Sequence, residues 1–103
     1  MTETEFEALA NAALEAIERG LDKLDVDFEL KGGGVVEIEL DDGSKIIVNR
    51  HGAAREIWVA ARAGGFHFRW DGAAWRDTRS GNELFGALSE LISGQLGRRV
   101  RLG

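Results

Sequence analysis

The sequence predicts an α+β fold: two helices packed on one face of an antiparallel sheet of about six strands, in the order helix, strands, helix. Three observations lead there. Helical apolar periodicity is confined to the two ends of the chain, short alternating segments fill the middle, and glycine-containing turns separate them at intervals that suit a meander. At 103 residues, 44% apolar and 30% charged, the composition is globular rather than disordered and long enough for a packed core without a staple. No proline-rich linker or internal repeat divides the chain, so a single domain over residues 1–103 is expected.

Phe6, Leu9, Ala10, Ala13, Leu14, Ile17, Leu21 and Leu24 recur in steps of three and four, which predicts an amphipathic helix over the first 24 residues. Asp27-Phe28-Glu29-Leu30 and Val36-Glu37-Ile38-Glu39-Leu40 alternate on either side of Gly32-Gly33-Gly34, as two strands joined by a turn do. The Asp42-Gly43 step tolerates positive φ and closes a hairpin onto Lys45–Asn49. Glu56–Arg62, Phe66–Trp70 and Ala74–Asp77 read as three more strands, with Gly64-Gly65 and Asp71-Gly72 as their turns. Ser80-Gly81-Asn82-Glu83 has the form of a capping box, so a second helix is expected from there, burying Leu84, Phe85, Leu88, Leu91 and Ile92. The tail Arg98–Leu102 is expected to extend over the core.

Several function classes drop out. Without cysteine the chain has no thiolate to hold a cluster or attack a substrate. Ser44, Ser80, Ser89 and Ser93 fall in a turn, a cap and a helix with no base signature, and His51 and His67, both expected to be exposed, have no metal-ligand spacing, so no conventional active site is expected. Met1-Thr2-Glu3-Thr4-Glu5 lacks the basic start and apolar run of a signal peptide, and no stretch approaches the roughly 18 apolar residues of a membrane span, so a cytoplasmic location with no membrane partner is predicted. Arg98, Arg99 and Arg101, on an acidic chain without a binding module, do not predict a nucleic-acid partner.

Charge is more informative. Residues 1–42 carry thirteen acids against three bases, and residues 43–103 five against ten, a division that marks an interaction face rather than a folding requirement. Glu15, Glu18, Asp22 and Asp25, spaced three, four and three apart, stack on one ridge of the first helix, with Glu7 extending it and Asp27, Glu29, Glu37 and Glu39 nearby on strands. A solvated helix face is the ordinary outcome of such a pattern. Two details argue for more: like charges at these spacings repel, and Asp22 and Asp25 sit near the helix C-terminus, where the macrodipole disfavours anions. A bound cation or a basic partner would relieve both. Ligation by carboxylate oxygen suits hard divalent cations, held weakly and with little selectivity.

Parity in the fourth strand puts Glu56, Trp58, Ala60 and Arg62 on the open sheet face and Ile57, Val59 and Ala61 on the core side. Trp58 is then a large aromatic on a polar face, near Asn49 across the hairpin, of the sort that anchors interfaces unless neighbouring side chains cover it.

The segments Asp42–Arg50, Glu56-Ile57-Trp58, Gly64-Gly65-Phe66-His67-Phe68 and Trp75-Arg76-Asp77 leading to Arg79-Ser80-Gly81 resemble, in order and spacing, the bacterial frataxins, over Phe6 to about Leu96. The resemblance implies the frataxin α/β sandwich and a carboxylate ridge on the first helix and first-strand edge, associated with weak binding of iron (Fe2+ or Fe3+) and with docking onto the cysteine desulfurase. Glu18, Asp22, Asp25 and Asp27 match that ridge; Glu15 and Glu29 join it from helical spacing and strand proximity. Asn49 and Trp58 match the family's exposed sheet positions, with Glu56 on the same face, and together they are the expected partner surface. Arg19, Gly20 and Lys23 interrupt a ridge that is often denser, and Ala53 and Glu56 replace a frequent proline and glutamine.

The implied partners are the cysteine desulfurase and the iron–sulfur scaffold complex, and a monomer is expected without iron. Three functions stay open: an iron donor, a regulator of the desulfurase with iron as a modulator, and a ferroxidase; the same weak sites would also take other divalent cations. The ferroxidase has no buried carboxylate–histidine di-iron motif behind it, so a non-enzymatic role is expected.

Overall fold

The computed structural model describes residues 1–103. Helix α1, Glu3–Leu24, starts at a capping box: the Glu5 amide donates to the Thr2 hydroxyl and the Thr2 amide to the Glu5 carboxylate, at 3.1 and 2.9 Å. Phe6, Ala10, Ala13, Leu14, Ile17 and Leu21 form its buried stripe. It ends at Asp25, whose φ of 56° is left-handed and whose amide turns back to the Leu21 and Asp22 carbonyls.

Strands β1 Asp27–Lys31, β2 Val35–Glu39, β3 Lys45–His51, β4 Glu56–Ala61, β5 Gly64–Trp70 and β6 Trp75–Asp77 follow, and helix α2, Leu84–Leu96, completes the order. The strands pair consecutively, each antiparallel to the next, so all five connections are hairpins. Rows of core side chains run across the sheet, Val36–Val48–Val59 in one register line, with half-buried Phe66 packed at its end, and Ile57–Phe68 in the next. They join the buried faces of both helices in one core of 21 residues. Leu84, Leu88 and Ile92 are wholly buried in α2, each stabilising the fold by about 1.5–3 kcal/mol. The α+β arrangement is the expected one.

Three local expectations are corrected. Ala61 pairs with Gly64, so Arg62 and Ala63 make the two-residue β4–β5 turn and Gly64-Gly65 already belong to β5. His51, which follows the strand expected over Lys45–Asn49 and was expected to be exposed, is the last residue of β3 and half-buried. Helix α2 begins at Leu84, and Glu83, not Ser80, is its cap: its carboxylate accepts the Phe85 and Gly86 amides at 2.9 and 3.0 Å, while the Ser80 hydroxyl accepts only the Asn82 amide. A carboxylate at the cap outcompetes the hydroxyl three residues earlier because it takes two orphan donors and meets the positive end of the helix.

The tail does cover the core. Val100 and Leu102 are buried, the Leu102 amide donates to the Ser89 hydroxyl, and the Val100 amide to that of Ser93. Leu102 fills the space beside Gly20 of α1, where a Cβ would stand 2.3 Å from the Leu102 carbonyl oxygen. The tail therefore joins the two helices.

Candidate functional site

The strand register decides where the acidic residues go. Phe28 pairs with Ile38 on the helix side, so Asp27 and Glu29, opposite Glu39 and Glu37, lie on the outer sheet face. The α1 carboxylates belong to the other layer. The sequence-predicted ridge thus meets the sheet only at the start of β1, and Glu29 lies beyond it on the outer face.

Asp22, Asp25 and Asp27 line one open recess of about 280 Å³ with Val26 and Phe28, at the joint between α1 and β1. Glu15 and Glu18 border a second recess of about 200 Å³, between α1 and the β1–β2 hairpin, with Leu30 and Lys31 on its far side. Glu29 joins neither and pairs with Lys31 at 2.7 Å. Nowhere do three acidic or histidine side chains converge as a preformed chelate.

Ion pairing separates the acidic groups further. Glu29, Glu37, Asp42, Glu56, Asp71 and Glu90 each have a cationic partner within 4.0 Å, whereas Glu15, Glu18, Asp22, Asp25 and Asp27 have none. The Lys45 ammonium holds Glu37 below its ordinary pKa, and Lys45 and Lys31 are raised by Glu37 and Glu29 in return. Asp42 is held well below the usual carboxylate range, chiefly by the Ser44 hydroxyl and then by Arg62. The unpaired charge is concentrated on α1 and at the start of β1.

The second candidate surface is the outer face of β3–β5. Asn49 pairs with Trp58, and Trp58 with His67, which confirms the parity reading. Trp58, however, is half-buried: its indole is stacked between His51, at 3.7 Å between centroids and 14° between planes, and His67, at 4.4 Å and 9°. Both ring faces are covered, and only ring edge meets solvent.

Glu56 is the larger correction. It was expected on the surface, yet only 6% of it is exposed. Its Oε1 accepts Trp58 Nε1 at 2.8 Å and its Oε2 accepts Arg69 Nη2 at 2.6 Å. Burial alone pushes this carboxyl's pKa up, but the bonds from Trp58 and Arg69 outweigh it and hold the group below its ordinary value. Alternation assigns a face but is blind to side chains from β3 and β5 folding over a neighbour. The usable signal was Glu56 standing two residues before Trp58, with Arg69 and His67 alternating opposite.

The largest recess, about 650 Å³, escaped the sequence reading because it forms where three-residue β6 stops short of the start of β5. Phe66, Ala87 and Leu91 supply its apolar lining, and Arg79 reaches across to the Gly65 carbonyl at 2.8 Å. Asp77, buried at its edge, accepts the Arg79 and Ser80 amides, which makes it a loop brace rather than a base. No helix is long and apolar enough to cross a membrane.

Fold and surface together define an acidic α+β sandwich whose unpaired carboxylates and aromatic group both lie on its exterior. A family model described as a frataxin-like domain matches residues 1–98. The chain is 61% identical over 104 residues to the iron–sulfur cluster assembly protein CyaY of Dechloromonas aromatica (strain RCB), covering 99% of each chain. It is 53% identical to the protein of the same name in Cupriavidus metallidurans, over 99% of this chain and 96% of the other. Its structure matches that of frataxin from Psychromonas ingrahamii with a TM-score of 0.90 at 30% identity, over 100% of this chain and 99% of that one. The trimeric frataxin of Saccharomyces cerevisiae, solved complexed with ferrous iron, shares the fold at a TM-score of 0.75 and 22% identity, over 95% of this chain and 88% of that one. The chain belongs to the frataxin family, and within it to the bacterial iron–sulfur cluster assembly proteins.

Proposed function

We propose that this protein serves iron–sulfur cluster assembly by holding iron weakly at its α1–β1 end and by docking, through the same charge, on a basic surface of the cysteine desulfurase complex, as donor of iron or regulator of that enzyme. The observation that carries the reading is a run of carboxylates along α1 and the start of β1 without ion-pair partners, Glu15, Glu18, Asp22, Asp25 and Asp27, while six acids elsewhere are neutralised. Charge left unpaired along one helix and strand edge is available to a cation or a basic protein.

Asp22, Asp25 and Asp27 around their shared recess are the first-choice iron ligands, with Glu15 and Glu18 as a second locus and Glu29, tied to Lys31, as an outlier. Oxygen ligation at an open site suits Fe(II) or another divalent cation in exchange with solvent, as a carrier requires. Trp58 and Asn49 on the outer sheet face supply the contact with the scaffold side of the complex, Glu56 lying beneath them. The protein acts without catalysis of its own, as a monomer when iron is absent.

The test is an oxygen-free calorimetric titration with Fe(II), comparing wild type with Glu18→Gln/Asp22→Asn/Asp25→Asn, repeated with the cysteine desulfurase. Loss of iron binding with docking intact supports the donor role; loss of docking with iron binding intact supports the regulator. An unchanged triple variant in both titrations sinks the reading. Docking should weaken about tenfold or more between low and physiological salt.

A further inference from the structure

Glu56 is a buried anion that the carboxylate end does not use. Its side chain is 7% exposed, while Arg69 and His67, which gather round it, are 67% and 50% exposed. The carboxylate is the floor and its partners are the surface. Oε1 takes the only indole donor Trp58 has, and lies 3.6 Å from His67 Nδ1; Oε2 takes Arg69. On the far side of the indole, His51 is itself fixed, its Nδ1 accepting the Ala54 amide of the β3–β4 turn at 3.2 Å. Rotating Trp58 away would break the bond to Glu56 and both stacks together.

We propose that Glu56 is the positioning residue of the docking face: it touches no partner, but locks Trp58 between His51 and His67 and so presents one rigid surface. The inference rests on the reading that Trp58 meets the assembly complex. A side chain ordered before binding spares the complex the entropy of ordering it, an effect of several-fold to about tenfold in affinity. The lock also shapes what can bind. With both faces of Trp58 covered, a partner meets the electropositive edge of a three-ring stack beside the exposed donors of Arg69, paired with Glu56, and, one register step on, of Arg76, paired with Asp71. That surface suits a segment offering carbonyl or carboxylate oxygens and not an aromatic ring seeking a face to stack on.

The experiment follows the three indole N–H resonances in a 1H–15N spectrum and the affinity for the desulfurase–scaffold complex. In the wild type, the Trp58 indole hydrogen should exchange with solvent more slowly than a free indole; exchange at the free rate overturns the proposal without any variant. Glu56→Leu should speed that exchange, leave the Trp70 and Trp75 indoles unmoved, and weaken binding several-fold to about tenfold. Glu56→Gln, whose amide oxygen accepts the same bond, should restore the indole signal and most of the affinity. An altered Trp58 signal with wild-type affinity in Glu56→Leu overturns the positioning role. If Trp58→Ala binds as wild type, the docking reading itself fails, whereas a weakened Trp58→Ala beside an unweakened Glu56→Leu removes only this inference.

Discussion

Asp25 carries two costs at once. Its φ of 56° strains a residue with a Cβ, and its charge stands at the negative end of α1. Asp25→Gly should therefore stabilise the fold by about 1 kcal/mol in urea unfolding while weakening Fe(II) binding, two effects of opposite sign from one substitution. A ridge selected only for stability would not hold an aspartate there. Glu56 sets a different dependence. Its folded pKa lies below the ordinary 4.5, so its contribution is fully present above that value and is lost as pH falls through the folded one. Glu37 and Asp71 shift in the same direction, through Lys45 and through the Ala73 and Ala74 amides. The urea midpoint should fall on acidification below about pH 5, and less steeply in Glu56→Gln.

At the scale of the helices, two glycines make opposite predictions. Gly94 lies on the exposed side of α2 with nothing near its missing Cβ, so Gly94→Ala should raise stability by about 0.5–1 kcal/mol. Gly20, in the buried stripe of α1, has the Leu102 carbonyl where a Cβ would go, so Gly20→Ala should cost about 1–3 kcal/mol; thermal unfolding of both variants separates them. Elements of this kind were largely legible beforehand. The steps of three and four from Phe6 to Leu24 outlined α1, and Asp42-Gly43 marked a turn that the structure closes, with Gly43 at φ 83° and Ser44 bonded to Asp42 at 2.9 Å. What stayed hidden depended on competition between neighbours. Ser80 and Glu83 both have a capping side chain, and only the loop braced by Asp77 selects Glu83. The burial of Glu56 and the covering of Trp58 arise from residues on three strands, which no pattern along one strand records. Glu29 joined the ridge from strand proximity, which ignores that it takes the outer sheet face and pairs with Lys31.

Across the whole molecule, the imbalance between chain halves becomes a spatial one, because a consecutive meander keeps sequence neighbours together. Asp27, Glu29, Glu37 and Glu39, offset only in part by Lys31 and Lys45, occupy the β1–β2 end of the outer face, while Arg69 and Arg76 at the β5–β6 end are paired with Glu56 and Asp71, with Trp58 between the two ends. The residual negative charge at the first end can orient a basic partner surface. The same topology bears on how the chain reaches this state. Every hairpin closes over a short stretch, so the sheet is able to assemble from local events, whereas the meeting of Leu102 with Gly20 spans nearly the entire chain. That closure is expected late in folding, after the barrier. Leu102→Ala should accordingly speed unfolding in stopped-flow measurements while leaving the refolding rate nearly unchanged, so that the last residues govern how long the native molecule lasts rather than how fast it forms.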